Sequence, residues 1–137
     1  MKKGAEVVLE ESLIRVRISA ADAHYGGGLV DGAHVLELFG DAVTEVLIRH
    51  DGDEGLMRAY SETEFLAPVR AGDYLEVRAE LVSVGDTSRT IRCIAHKVIE
   101  LADADGSAAR VLSEPVLVAK AVAVAVVPIA RRRTPAP

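Results

Sequence analysis

The chain has 137 residues, half of them hydrophobic but only 4% aromatic, with no Trp and a formal net charge of -5. This length predicts a single domain, residues 1–130, whose core is built from Val, Leu, Ile and Ala. The acidic balance argues against a nucleic-acid surface, which needs a clustered basic face.

Three further features of the sequence narrow the class of protein: the C-terminus, the cysteine content and the N-terminus. Residues 131–137 begin with three arginines and contain prolines, which predicts a disordered tail. Cys93 is the only cysteine, so an intramolecular disulfide is excluded; its apolar surroundings indicate a buried, inert thiol and give no support to a zinc site. No signal peptide or membrane-spanning run is visible, so we expect a cytoplasmic protein without a membrane partner.

The first elements in chain order are a strand, a glycine-rich segment and a helix. Residues 13–19 alternate apolar side chains with arginines, the pattern of a half-buried strand. The segment from Asp22 to Gly32 contains three consecutive glycines. From Asp31 to His50 apolar residues recur every three or four positions, with Asp31 as the N-cap and Asp51-Gly52 closing the helix.

Every later pattern is extended. Strands are predicted over residues 56–66, 74–84, 88–101 and 110–129, with a hairpin turn at Gly85-Asp86. One strand, one long helix and four antiparallel strands make an α+β fold in which the helix lies across one face of a curved sheet. The other face is left for solvent or a partner, so we expect at least a homodimer.

The glycine-rich segment combines ionisable groups with a helix N-terminus. Glycines suit positive φ angles or close approach of another group, and the first helical N–H groups favour an anion or a developing oxyanion. His24 could exchange protons near neutral pH, with Asp22, Tyr25 and Asp31 beside it. A simpler interpretation also fits: Asp31 is an ordinary N-cap, residues 26–28 are a flexible connector and His24 is a surface residue.

Two sets of residues resemble a known family. The element order, with residues 64–73 leading into the third strand, resembles the hotdog fold, in which a long helix is wrapped by an antiparallel sheet and most enzymes act on acyl thioesters. The closer resemblance is to the beta-aminoacyl-CoA ammonia lyases, which act on beta-alanyl-CoA and, in lysine fermentation, on 3-aminobutyryl-CoA. It rests on Asp22-Ala23-His24-Tyr25, Leu29-Val30-Asp31-Gly32-Ala33, Gly40-Asp41, Thr44-Glu45, Glu64-Phe65, Ala67-Pro68-Val69 and Gly72-Asp73.

The resemblance implies an elimination of ammonia from a 3-aminoacyl-CoA at a site between two subunits. Backbone N–H groups of Gly32 and Ala33 would stabilise the enolate, and His24 or Asp31 would accept the α-proton. Glu37 and Glu64 are the candidates for the carboxylate that holds the substrate ammonium. Further substrate contacts are expected from Asp22, which would orient His24 or Tyr25, and from Tyr25, Gly27 and Gly28.

The resemblance implies an enzyme that works without a metal or an organic prosthetic group. Coenzyme A is counted as part of the substrate. The assembly implied is a homodimer, with a hexamer built as a trimer of dimers as the larger alternative. Candidate contacts for the coenzyme A phosphates are Arg70, Arg89 and Lys120, although Lys120 also fits an outward residue on a half-exposed strand.

Several alternatives stay open. Hotdog hydroxyacyl dehydratases pair a loop His with a carboxylate on the following helix, positions similar to His24 and Glu37, but this loop lacks their prolines. Glu37, Asp41 and Glu45 also fit a solvent-facing stripe of the helix. The rival functions are an acyl-CoA thioesterase, a hydroxyacyl-CoA dehydratase and a non-catalytic acyl-CoA-binding module.

Overall fold

The structure, a computed structural model, describes residues 7–103 and 105–132. It consists of one long helix and five strands, as the sequence predicted. Three short helical turns complete it, at Ala20–Asp22, Gly26–Gly28 and Ile129–Arg131. The strands and the helix are β1 (Glu10–Arg17), α1 (Gly32–Asp51), β2 (Leu56–Phe65), β3 (Tyr74–Val84), β4 (Ser88–Leu101) and β5 (Ala109–Val126).

The five strands form one antiparallel sheet in the order β1-β3-β4-β5-β2. The helix α1 packs against β1, β3 and β4, and its buried stripe begins at Val35 and ends at Leu47. In β3 the alternation expected from the sequence is confirmed, because Leu75, Val77, Ala79 and Leu81 are fully buried. This arrangement leaves the strands β1 and β2 as the two edges of the sheet.

Two strand boundaries differ from the sequence prediction by three residues, and the others differ by two residues or fewer. The strand β1 starts at Glu10 rather than Leu13, because Glu10, Glu11 and Ser12 pair with β3 even though they are polar. Ser12 is buried and its hydroxyl donates to the Ala42 carbonyl at 2.7 Å, which satisfies it against the helix. The strand β5 ends at Val126 rather than at residue 129, just before Pro128, which has no N–H for the ladder.

A buried ion pair joins the end of α1 to the hairpin between β3 and β4. The Arg89 guanidinium donates to both carboxylate oxygens of Asp51 at 2.8 Å, and it also donates to the carbonyls of Gly85 and Ser88 at 3.0 Å. Arg89 is therefore a structural residue, and its suggested role as a phosphate contact is wrong. Lys120, in contrast, is exposed on β5.

The C-terminal end is described only as far as residue 132. Arg131 closes the last helical turn, and residues 133–137 of the predicted tail lie outside the described residues. None of the described helices has the length and apolar character that crossing a membrane requires.

Candidate active site

The glycine-rich loop is held in place by backbone hydrogen bonds. The Tyr25 N–H donates to the Leu29 carbonyl at 3.1 Å, which closes the loop on itself, and the Ala71 N–H donates to the Gly28 carbonyl at 3.1 Å. Gly27 and Gly28 have φ angles of 73° and 74°, which residues with a Cβ rarely adopt. The loop is therefore a fixed turn, and the interpretation of residues 26–28 as a flexible connector does not describe it.

The helix N-terminus beside this loop is left without a side-chain cap. Asp31 occupies the N-cap position, but its carboxylate accepts no hydrogen bond from the helix. Instead its Oδ1 lies 3.0 Å from the Nε2 of His24. Within the described part of the chain, the backbone N–H groups of Gly32 and Ala33 have no acceptor, while the His34 N–H donates to the Asp31 carbonyl. Two donors at the positive end of the helix are thus available to a ligand.

A second pair of side chains lies next to the first, and the sequence analysis missed it. The Nε2 of His34 is 3.5 Å from the Oδ2 of Asp22, and the same oxygen accepts a hydrogen bond from the Ser19 hydroxyl at 3.0 Å. Because His24 is paired with Asp31, the prediction that Asp22 orients His24 does not hold in this structure, and the alternative that Asp22 orients Tyr25 stays a prediction. The spacing of Asp31, His34 and Glu37 at three-residue intervals, which places them on one helix face, was the signal available in the sequence.

These two pairs line a polar depression of about 220 Å³, which we call the His–carboxylate pocket. Its lining residues are Ala21, Asp22, His24, Asp31, Ala33, His34 and Glu37. Three carboxylates and two imidazoles face it, and none of the lining residues is a Lys or Arg. With neutral imidazoles the pocket is strongly negative, so it favours a small cation over an anion.

An apolar cavity of about 720 Å³ lies on the other side of Ala33, which lines both spaces. Its walls come from the loop, the first turns of α1, the end of β2 and the segment that follows β2. Among its lining residues are Tyr25, Val30, Gly32, Leu36, Phe65 and Val118. The two open N–H groups therefore lie where an apolar cavity meets the His–carboxylate pocket.

The lack of a side chain at Gly32 lets Phe65 pack against the helix start. A Cβ at this position would lie 2.8 Å from two ring atoms of Phe65. We expect Gly32→Ala to push the ring into the apolar cavity and to lower the turnover rate by about tenfold to a hundredfold through misplacement of substrate. The double variant Gly32→Ala/Phe65→Leu should recover much of that loss in a steady-state assay. Equal activity of Gly32→Ala and the unmodified protein would contradict this account of the cavity.

Three predicted site residues lie outside the His–carboxylate pocket and the apolar cavity. Gly27 and Gly28 line a third cavity of about 360 Å³ with Arg70, whose role as a phosphate contact stays a prediction. Glu64 is exposed on the edge strand β2, opposite Lys120, and the two line a separate hollow with Glu62 and Arg92. One copy of the chain thus places Glu37, but not Glu64, beside His24.

Two other potentially reactive side chains near the core are at least partly buried, and one of them is hydrogen-bonded to the helix. Burial raises the pKa of the Cys93 thiol to about 12, which confirms the expectation of an inert cysteine. Burial also raises the pKa of Tyr60 to about 12, and its hydroxyl donates to the Leu36 carbonyl at 2.9 Å. Among the described residues, no three His, Cys, Asp or Glu side chains are arranged to hold a metal ion.

The fold and sequence match a large class of thioester-handling proteins. A family model described as the thioesterase superfamily matches residues 27–100, from the glycine loop to near the end of β4. The hexameric hotdog fold thioesterase of Campylobacter jejuni superposes with a TM-score of 0.70 at 18% identity, over 89% of this chain and 86% of that one. At this level of identity the likeness defines the fold, which is the hotdog fold that the sequence resembled.

Two more similar proteins define the family. The 3-aminobutyryl-CoA ammonia lyase of Acetoanaerobium sticklandii is 52% identical over 124 residues, which are 90% of this chain and 98% of the relative. The beta-alanyl-CoA:ammonia lyase from Clostridium propionicum is 33% identical with a TM-score of 0.90, over 96% of this chain and 94% of that chain. The chain belongs to the aminoacyl-CoA ammonia lyases of the thioesterase superfamily, which confirms the resemblance drawn from residues 22–73.

Proposed function

We propose that this protein catalyses the reversible elimination of ammonia from a short 3-aminoacyl-CoA such as 3-aminobutyryl-CoA, giving an enoyl-CoA such as crotonyl-CoA. The observation that carries the proposal is the meeting of three features at the start of α1. An open pair of backbone donors lies between an apolar cavity and a pocket whose charge favours a cation. A 3-aminoacyl thioester presents the matching groups: a carbonyl, an apolar chain and an ammonium.

The open N–H groups of Gly32 and Ala33 bind the thioester carbonyl in this proposal. When the α-proton leaves, negative charge develops on that oxygen, and each preorganised donor in an oxyanion site is typically worth about 3 kcal/mol. The capture of the Asp31 carboxylate by His24 supports this role, because an ordinary N-cap side chain would accept a hydrogen bond from the N–H of the second or third helical residue, Ala33 or His34.

The geometry favours His24 as the base and Asp31 as its partner. The Nε2 of His24 faces Asp31, which leaves Nδ1 as the nitrogen that can accept a proton. In the elimination the α C–H bond breaks and its proton moves to His24. The electron pair forms the double bond, and the C–N pair leaves with ammonia. Asp31 stabilises the imidazolium that results.

Glu37 is the carboxylate of one copy that is placed to hold the substrate ammonium, because it lines the His–carboxylate pocket. Glu64 could contribute only from a second copy. Among the described residues the ten-residue strand β2 has no neighbour on its outer side, and Leu56, Met57, Phe65 and Leu66 at or beside it are exposed. An edge of this kind is a template for pairing with another chain. We therefore include a homodimer through β2 in the proposal, with a hexamer as a trimer of dimers; light scattering after gel filtration measures the assembly.

The proposed chemistry draws on side chains and backbone donors, with coenzyme A as part of the substrate and no separate cofactor. Dialysis against a chelator should therefore leave the rate unchanged. The free thiol of Cys93 and a coenzyme A substrate are consistent with a cytoplasmic setting, which we also propose.

Incubation with crotonyl-CoA and ammonium tests the function. We expect the enoyl absorbance to fall in an ammonium-dependent reaction that releases no free thiol. Thiol release would identify a thioesterase, and loss of absorbance without ammonium would identify a hydratase. Binding of the thioester without either reaction would leave a binding module.

A further inference from the structure

His34 lines the His–carboxylate pocket but has no part in the reaction as described so far. We propose that His34, paired with Asp22, is a second proton-transfer residue that serves the nitrogen atom while His24 serves the carbon atom. In the elimination it gives a proton to the departing ammonia, and in the addition it takes one from ammonium. This inference rests on the proposed ammonia lyase activity.

The proton balance of the reaction is also satisfied when a second residue exchanges a proton with the nitrogen. The substrate amine enters as an ammonium and leaves the carbon as neutral ammonia, which carries off the C–N electron pair. His24 then holds the α-proton, and ammonia, which is a stronger base than imidazole, takes up a proton as it leaves. If protonated His34 supplies it, ammonium forms and His34 becomes neutral. Transfer of the proton from His24 to His34 restores both groups, and the α-proton has in effect moved to ammonia.

The position of His34 suits this role. It is the third residue of α1, and its side chain lines the same pocket as His24, within a volume of about 220 Å³. The His34 side chain is only 16% exposed, whereas that of His24 is 61% exposed. His34 is therefore the more sheltered of the two imidazoles, as a group must be if it exchanges a proton with ammonia before bulk water does.

The contact with Asp22 is of a kind that stabilises a charged imidazole. The two atoms are 3.5 Å apart, which lies within ion-pair range. Asp22 is itself fixed by the Ser19 hydroxyl at 3.0 Å, in the turn Ala20–Asp22 that precedes the glycine loop. The Asp22–His34 pair is thus fixed by Ser19, which takes no part in the His24–Asp31 pair.

Two of the three remaining titratable groups of the pocket are carboxylates. Asp31 and Glu37 face it from the helix start, His24 faces it from the loop, and the other lining residues are alanines. The surrounding negative charge attracts ammonium. The lining contains no Lys or Arg that would repel ammonium.

The variant His34→Gln tests the proposal by the addition of ammonium to crotonyl-CoA at several pH values. At neutral pH we expect the rate to fall by about 10²-fold, because glutamine cannot accept a proton from ammonium. As the pH rises and free ammonia replaces ammonium, this deficit relative to the unmodified protein should shrink. His34→Ala should regain part of its rate when imidazole is added. Asp22→Asn should show a smaller deficit with the same trend.

His96→Gln is the matched control, because His96 is half-buried on β4 and lines neither the pocket nor the apolar cavity; its rate should equal that of the unmodified protein. Full activity of His34→Gln at neutral pH would overturn the inference. A deficit of the same size at every pH, in a variant with an unchanged melting temperature, would make His34 a structural residue and also overturn it. Failure of the proposed function is a separate result, since the unmodified protein would then add no ammonium.

Discussion

His24→Gln lowers the rate of ammonium addition to crotonyl-CoA by about 10²- to 10⁴-fold, the usual contribution of a positioned acid or base. Glutamine is close in size to histidine but cannot carry the α-proton. His24 does not line the apolar cavity, and the glutamine amide can still donate to Asp31 and keep it away from the N–H groups of the helix start. The loss should therefore fall on kcat, with little change in the KM for the thioester.

The pH dependence separates His24 from His34. Because His24 serves the carbon atom, raising the concentration of free ammonia should not restore His24→Gln, whereas it should restore His34→Gln. Steady-state rates over a pH series measure both. Retention of full activity by His24→Gln would remove His24 from the site and leave Asp31 as the remaining candidate for the base.

Asp31→Asn is the companion variant, and its stability carries information as well as its rate. Asparagine is as good an N-cap residue as aspartate. The asparagine side chain can turn toward the helix, and it presents no negative charge to His24. We therefore expect a lower rate in a protein that is equally stable. Thermal unfolding followed by circular dichroism provides the check. A loss of stability together with activity would show that the carboxylate supports the fold.

Arg89→Met produces the largest expected loss of stability. Arg89 is 1% and Asp51 5% exposed, and removing one partner leaves the other charge buried without compensation, which typically costs about 3–5 kcal/mol. Urea unfolding measures the change. Arg110→Met is the control, since its pair with Glu100 lies on the surface and should contribute much less.

A double variant distinguishes a buried charge from lost packing. In Arg89→Met/Asp51→Leu no charge stays buried, so we expect a smaller loss of stability than in Arg89→Met alone. If the double variant is the less stable of the two, the hydrogen bonds from Arg89 to Gly85 and Ser88 are the larger contribution.

The Arg89–Asp51 pair also makes the stability of the protein depend on pH. We expect the direction of that dependence to reverse in Arg89→Met. The hydrogen bond from Arg89 holds the pKa of Asp51 below its ordinary value. Its contribution is therefore present above the ordinary carboxyl pKa and is lost as the pH falls through the lowered value. In Arg89→Met the largest remaining effect on Asp51 is burial, which raises its pKa, while the charges of His50 and Arg132 each lower it by less, so mild acid should partly relieve the loss of stability. Urea midpoints at several acidic pH values report both trends.

Much of the architecture could be predicted because it depends on local periodicity. The alternation of residues 74–84 and the three- and four-residue spacing after Asp31 fix which face each element buries, since side chains repeat every two residues in a strand and every 3.6 in a helix. The first and last residues of a strand at the edge of the sheet were harder to predict. The strand β1 begins with Glu10, Glu11 and Ser12, whose pairing with β3 depends on a partner distant in the sequence.

The candidate active site likewise has a part that the sequence predicted and a part that only the tertiary structure decided. From the sequence alone came the glycine loop, the helix start, the candidates His24, Asp31 and Glu37, and the family that residues 22–73 resemble. Tertiary structure alone decided that Asp31 pairs with His24, that Asp22 pairs with His34, and that Arg89 is buried on Asp51. A repeating pattern shows which way a side chain faces, whereas partners are chosen by distances between segments that only folding brings together.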